Sequence, residues 1–151
     1  MTKTSIENDR PVKVFLDTNV IVDAMTLRDN TFKPSQELLR FIAVGKVKGI
    51  ICSKQITDIH YIFKKYYSTP QQINNSLKVI TKLFEILPLF KGDILACLNT
   101  EMNDFEDAIL DEVATVNVIP YFVTNNIDDF KNSKSMVLTP EQFITLFQLD
   151  K

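Results

Sequence analysis

Val12-Lys13-Val14-Phe15-Leu16-Asp17-Thr18-Asn19-Val20 is the stretch on which the fold turns. Val12 to Leu16 is a short β-branched and aromatic run, the composition of a buried strand. It stops at Asp17, and a turn then feeds a helix over Asn19–Met25. The same alternation continues down the chain. Pro34 and Ser35 open a helix with Leu38, Leu39, Ile42 and Ala43 on one face, and Gly45 closes it. A second strand is expected over Lys48–Ser53, then helices over Lys54–Tyr67 and from Pro70 to Phe84. Glu85–Pro88 reads as a brief strand, followed by helices over Lys91–Asn99 and Phe105–Asn117. Pro120–Val123 and Met136–Leu138 are the last strands, and Thr139-Pro140-Glu141-Gln142 begins the final helix with a capping-box pattern.

Strands alternating with helices imply a parallel sheet covered on both faces, an α/β fold. The length of 151 residues suits one domain over 1–151, able to bury roughly two-thirds of its unfolded surface. Three glycines and six prolines leave little room for long flexible linkers. The polar lead, residues 1–11, has no apolar signal core and is compatible with disorder. No apolar run nears the roughly 18 residues that span a bilayer, so no membrane partner and a cytoplasmic location are expected. Cys52 and Cys97 each sit in an apolar pattern and read as buried free thiols. A formal net charge of −2 speaks mildly against a high-affinity nucleic-acid binder working by counterion release. It leaves open an enzyme that holds such a substrate briefly through a bound cation.

In open parallel sheets, ligands collect beyond the carboxyl ends of the strands. Asp17 stands there, although an Asp at that point also serves well as a helix N-cap. Thr18 and Asn19 are placed to orient it, since an ionised carboxylate only accepts hydrogen bonds. Asp58 lies one turn into the helix after the second strand, at the edge of an apolar stripe of Ile56, Ile59, Ile62, Phe63 and Tyr66. It either faces a cleft or is a boundary residue, solvated or paired with Lys65. Asn103–Asp111 is the most acidic segment, with Asp104, Asp107 and Asp111 on one side of a helix. Like charges so spaced repel, by roughly 0.2–0.5 kcal/mol per pair, unless a cation intervenes. Asp107 is nearest the middle of that face, while Asp104 is equally suited to cap the helix. After a further strand, Thr124, Asn126 and Asp129 offer oxygen atoms, in a composition that also suits a plain turn. His60, the sole histidine, is roughly 160° around its helix from Asp58 and reads as a boundary residue. Nucleophile-elbow, phosphate-loop and Cys–His metal patterns are absent.

Oxygen-only donors suit hard cations, Mg²⁺ or Mn²⁺. Carboxylate clusters holding such ions recur in phosphodiester cleavage, where one ion activates water and the ions together stabilise the oxygens of the in-line displacement.

The pieces VFLDTNVIVD, SKQITDIHYIFKK, DFEDAILDEVA, YFVTNNIDDF and VLTPEQF resemble the PIN-domain ribonucleases, including toxins of bacterial toxin–antitoxin pairs, from Val12 to Phe147. The resemblance implies a three-layer α/β/α sandwich with a central, mainly parallel sheet. It implies a metal-dependent endoribonuclease acting on RNA, with catalytic Asp17, Asp58 and Asp107. It places Mg²⁺ or Mn²⁺ on Asp17, Asp58, Asp107, Asn126 and Asp129, supported by Thr18, Asn19, Asp104 and Thr124. A protein antitoxin and a homodimer are the implied partners. Two departures stand out: Asp58 where the family often has the longer Glu, and neutral Asn126 where its last acid often falls. The second supports an alternative, a catalytically weakened module that binds RNA or protein. A haloacid-dehalogenase-like phosphatase also begins from an Asp after the first strand. It wants a second Asp two residues on, where this chain has Asn19.

Overall fold

The computed structural model describes residues 10–26, 32–100, 102 and 104–151. Residues 1–9 of the polar lead and Asn103 of the acidic segment lie outside the described residues. The elements are β1 (Val12–Leu16), α1 (Thr18–Thr26), α2 (Lys33–Ala43), β2 (Val47–Cys52), α3 (Ser53–Phe63) and α4 (Pro70–Leu83). Then come β3 (Glu85–Leu87), α5 (Lys91–Cys97), α6 (Phe105–Val116), β4 (Tyr121–Val123), a 3₁₀ turn (Ile127–Phe130), β5 (Met136–Leu138) and α7 (Pro140–Leu146). The strands form one sheet in the order β3-β2-β1-β4-β5, every neighbour parallel.

Alternation along the strands divides the interior into two layers. Val14, Leu16, Ile51 and Val123 point to one face, where Ile21 of α1, Leu38 of α2, Phe63 of α3, Ile80 of α4 and Phe143 of α7 cover them. Phe15, Ile50 and Phe122 point to the other face, under Leu110 and Val113 of α6 and Phe130 of the 3₁₀ turn. Phe15 and Phe122 are cross-strand neighbours stacked with their ring centroids 5.4 Å apart. The expected three-layer α/β/α sandwich is therefore what the chain forms, its layers set by the period-two pattern of strands buried on both sides.

Local signals work as their chemistry requires. Gly45 takes φ +82° just past α2, where its N–H meets the Ile42 carbonyl and the Lys46 N–H meets that of Phe41. This double closure of a helix end favours glycine. Gly49 in β2 answers a different need: a Cβ there would sit 2.8 Å from Ile42 Cδ1 and from the Phe84 ring. Thr139 and Gln142 complete the reciprocal cap of α7, at 2.9 and 3.2 Å.

One boundary differs materially from expectation. α3 ends at Phe63, not Tyr67. Beyond it the Lys65 and Tyr66 N–H groups reach back only three residues, to Ile62 and Phe63. Tyr67 folds edge-on against the Phe63 ring, with centroids 5.1 Å apart, and its hydroxyl reaches the Met25 carbonyl. Packing of that ring, with Thr69 already capping α4 through the Gln72 N–H, stops the helix a turn early.

Candidate active site

Because all five strands are parallel, their carboxyl ends share one edge. At the centre of that edge the chain leaves β1 towards helices on one face, while β4 is reached through α5 and α6 on the other. The crevice between β1 and β4 is thus a topological switch point, where open α/β sheets bind ligands. A cleft of about 520 Å³ opens there. Asp17, Asp58, Asp107 and Asp129 line it, with Thr18 and Asn19. Four segments far apart in sequence therefore bring carboxylates to one cavity.

Asp17 is fixed from both sides. Its Oδ1 accepts the Thr18 N–H at 2.8 Å, and its Oδ2 accepts the Thr124 hydroxyl at 2.8 Å. The Asp17 N–H continues the sheet onto the Val123 carbonyl at 2.9 Å. Asp17 is 8% exposed and Thr124 fully buried. Burial pushes the Asp17 carboxyl up, the hydrogen bonds from Thr124 and Thr18 pull it back, and the charges of Asp129 and Asp104 raise it further. Thr18 does orient Asp17, but through its backbone; its hydroxyl accepts from Gln55 Nε2 at 3.2 Å. The Asn19 side chain instead accepts the Asn125 N–H at 3.3 Å.

Asp107 faces the cleft from the first turn of α6. Asp104 caps that helix, its Oδ1 accepting the Asp107 N–H at 3.0 Å, while also lining a smaller adjoining hollow with Asp107, Asp128 and Asp129. Burial first, then the charges of Asp104, Asp17, Asp129 and Glu106, lift the half-buried Asp107 carboxyl to about 7. The helix N-terminus that favours anions is outweighed by burial and by the acids around it. Asp111 shares that side of α6 but does not join the other acids: its carboxylate accepts the Ser133 hydroxyl and does not line the cleft. One helical turn beyond Asp107 carries it about 6 Å further from the sheet edge.

The loop after β4 is tied to the cleft by its amides. Asn125 Nδ2 donates to Asp23 Oδ2 at 3.0 Å, and the Asn126 N–H donates to Thr124 Oγ1 at 3.1 Å. The Asn126 carboxamide donates to Asp129 Oδ2 at 2.6 Å. Asp129 lines the cleft, whereas Asn126 stands behind it and does not.

Four contributors were missing from the sequence reading. Gln55, fully buried in α3, accepts the Cys52 N–H at 2.7 Å and donates to the Leu16 carbonyl at 2.9 Å. It thereby links β2, β1 and Thr18 beneath the site. Lys54 reaches Asp58 Oδ2 at 2.6 Å and Glu106 Oε1 at 3.5 Å, so Asp58 pairs with Lys54 and not Lys65. Asp23 and Glu106 add two more acids to the lining. Only Gln55 left a trace: a polar residue four before Ile59 and eight before Phe63, on the apolar stripe. His60 does not line the cleft.

The donor set suits a hard divalent cation, since every cleft acid offers oxygen and two of them are raised, by burial first and then by neighbouring negative charge. Among the described residues, no three His, Cys, Asp or Glu side chains stand as a ready-made ligand group. Repulsion between carboxylates acts against closer approach, and a cation would reverse it.

Comparison with known proteins agrees with this architecture. The family model for the PIN domain matches residues 13–128. Ribonuclease VapC1 of Aquifex aeolicus is 26% identical over 136 residues, covering 87% of this chain and 92% of the relative. Among solved structures, VapBC2 from Rickettsia felis bound to a promoter DNA fragment superposes with a TM-score of 0.64 at 20% identity, covering 85% of this chain and 98% of that one. A toxin–antitoxin complex from Klebsiella pneumoniae gives 0.63 at 21% identity, over 84% and 97%. A family match across most of the chain, on a fold whose switch point gathers the acids of its motifs, makes this protein a member of the PIN domain family.

Proposed function

We propose that this chain is a metal-dependent endoribonuclease that hydrolyses RNA phosphodiester bonds, acting in the cytoplasm as the toxin of a toxin–antitoxin pair. The observation that carries the reading is the convergence of Asp17, Asp58, Asp107 and Asp129 on one cleft at the sheet's switch point. The ribonuclease relative and the toxin–antitoxin structural neighbours support the substrate class and a protein antitoxin. A homodimer belongs to the same reading.

Asp17 and Asp107 are the catalytic acids and would hold Mg²⁺ or Mn²⁺ with Asp129. Asn126 sets the orientation of Asp129, and Asp58 completes the acidic wall. When bound, such an ion supplies an activated water and neutralises charge on the phosphate oxygens. The chain's own contribution is positioning. Thr124 and the Thr18 N–H fix both oxygens of Asp17, so little ordering is left for the moment of reaction. Asp104 holds the first turn of α6, and with it Asp107, at the cleft.

Purified protein incubated with a structured RNA should cut it in Mg²⁺ or Mn²⁺ and stop on addition of chelator. Asp17→Asn should abolish cutting. If that variant cuts as well as the parent, the activity belongs to a contaminant. RNA bound without cleavage at any metal concentration favours the weakened binding module that the neutral Asn126 admits.

A further inference from the structure

Among the described residues, Lys54 is the one basic residue lining the cleft, against six acids: Asp17, Asp23, Asp58, Glu106, Asp107 and Asp129. Its position is built. The side chain is only 24% exposed, and its ammonium sits 2.6 Å from Asp58 Oδ2 and 3.5 Å from Glu106 Oε1. Asp58 belongs to the same helix, four residues on, but Glu106 comes from α6 on the far wall. The lysine therefore bridges α3 and α6, the helices that carry Asp58 and Asp107. Of the other acids in the cleft, Asp17, Asp107 and Asp129 repel one another.

On the functional reading above, we propose that Lys54 is the resident second cation of the site, held by Asp58 and Glu106, so that the cleft takes one divalent ion, on the Asp17–Asp107–Asp129 side. A two-metal site clamps both the attacking and the leaving oxygen of an in-line displacement. Here an ammonium takes one of the two places. Two of its three N–H donors go to the carboxylates, and the third can meet a phosphate oxygen. A second divalent ion is disfavoured because Asp58 is already neutralised and a fixed positive charge lies beside it. The shorter Asp58, noted as a departure from the family's Glu, fits this arrangement: four residues from Lys54 on one helix, it needs no longer reach.

Counting bound Mn²⁺ tests the assignment without reference to activity. Free Mn²⁺ is measured by electron paramagnetic resonance across a titration into the intact protein at pH 7.5. The parent should bind one ion per chain. Lys54→Met should bind two, the second in the millimolar range, because Asp58 and Glu106 are released. Lys54→Arg keeps a cation in place and should bind one. In single-turnover RNA cleavage, Lys54→Met should lose at least tenfold in rate at Mn²⁺ concentrations that fill only the first site. It should regain part of that loss when the second fills. Melting curves of both variants establish that they are folded, and the arginine variant carries the test if the methionine variant is not: two ions bound by Lys54→Arg would overturn the proposal. Two ions in the parent, or one ion in Lys54→Met, would overturn it while leaving the ribonuclease reading intact. No ion bound by the parent, with no RNA cut, would remove the ribonuclease reading and this assignment with it.

Discussion

Replacing Asp107 by Asn should make the metal-free protein more stable while destroying its activity. The Asp107 carboxyl is lifted from 3.8 to about 7 by burial and by the acids around it, so its ionised form is penalised in the folded state. At about 1.4 kcal/mol per tenfold, that displacement corresponds to roughly 4 kcal/mol. Asp107 is only half-buried, and solvent screening brings the figure to about 1–2 kcal/mol. The sign follows from proton counting. Between about pH 4 and pH 7 the folded chain binds more protons at this group than the unfolded chain, so its stability falls as pH rises across that window. Above pH 7 the penalty is complete. Asn carries no charge to penalise, and its amide can donate to a neighbouring carboxylate. The variant should therefore melt about 2–8 °C higher than the parent at pH 8 in chelator, for a chain of this size. The gain should shrink below half by pH 5 and vanish near pH 4. Adding Mn²⁺ at pH 8 should reverse the order, because only the parent binds the ion well. Paired thermal or urea melts from pH 4 to 8 test this. A variant no more stable than the parent at pH 8, or a gain that grows as pH falls, would refute the electrostatic reasoning.

Thr124→Val keeps the side-chain shape but strips the hydroxyl that donates to Asp17 and accepts from Asn126; it should cost about 1–3 kcal/mol in urea unfolding and slow RNA cleavage. An unchanged denaturation midpoint would show that the buried pair contributes nothing. Gln55→Leu leaves the Cys52 N–H and the Leu16 carbonyl without their side-chain partner in the fully buried base of the site, and should cost at least about 2 kcal/mol. Equal melting of this variant and the parent would count against the role given to Gln55. Mn²⁺ binding should release protons from Asp107 and tighten as pH rises to about 7, levelling beyond it. Calorimetry in buffers of different ionisation enthalpy measures that release, and an affinity flat from pH 5.5 to 8 would contradict it.

The fold was legible because its signals are local. Val14–Leu16 and Tyr121–Val123 are apolar on both faces, as strands in a covered parallel sheet must be. Pro70 and Pro140 stand at the first position of helices whose Thr caps can be read directly from sequence. The boundary that shifted, the end of α3, depends on where the Tyr67 ring packs, and a helical period carries no information on that.

The site divides along the same line. Asp17, Asp58 and Asp107 could be placed at the cleft from their positions after a strand or in the first two turns of a helix, because topology alone puts those positions on one edge. What topology does not give is partnership across the cleft. Asp107 and Asp111 are about 40° apart on one helix, yet one meets the other acids and the other is taken by Ser133, 22 residues away. Asn126 and Asp129 sit in one turn, yet the amide holds the acid from behind. Lys54 and Glu106 are 52 positions apart and unremarkable as surface charges until α3 and α6 face each other. A cleft whose described residues include six acids and a single base must either have them neutralised by something from solution or stay poised against its own charge. The carboxyls of Asp17 and Asp107 are raised by burial first and then by the acids around them, so part of that imbalance falls where Lys54 does not reach. An acidic cleft kept for structure alone would have no reason to leave Asp17 and Asp107 without a counter-ion among the described residues, and that is the physical ground for proposing a cation and a phosphate as its ligands.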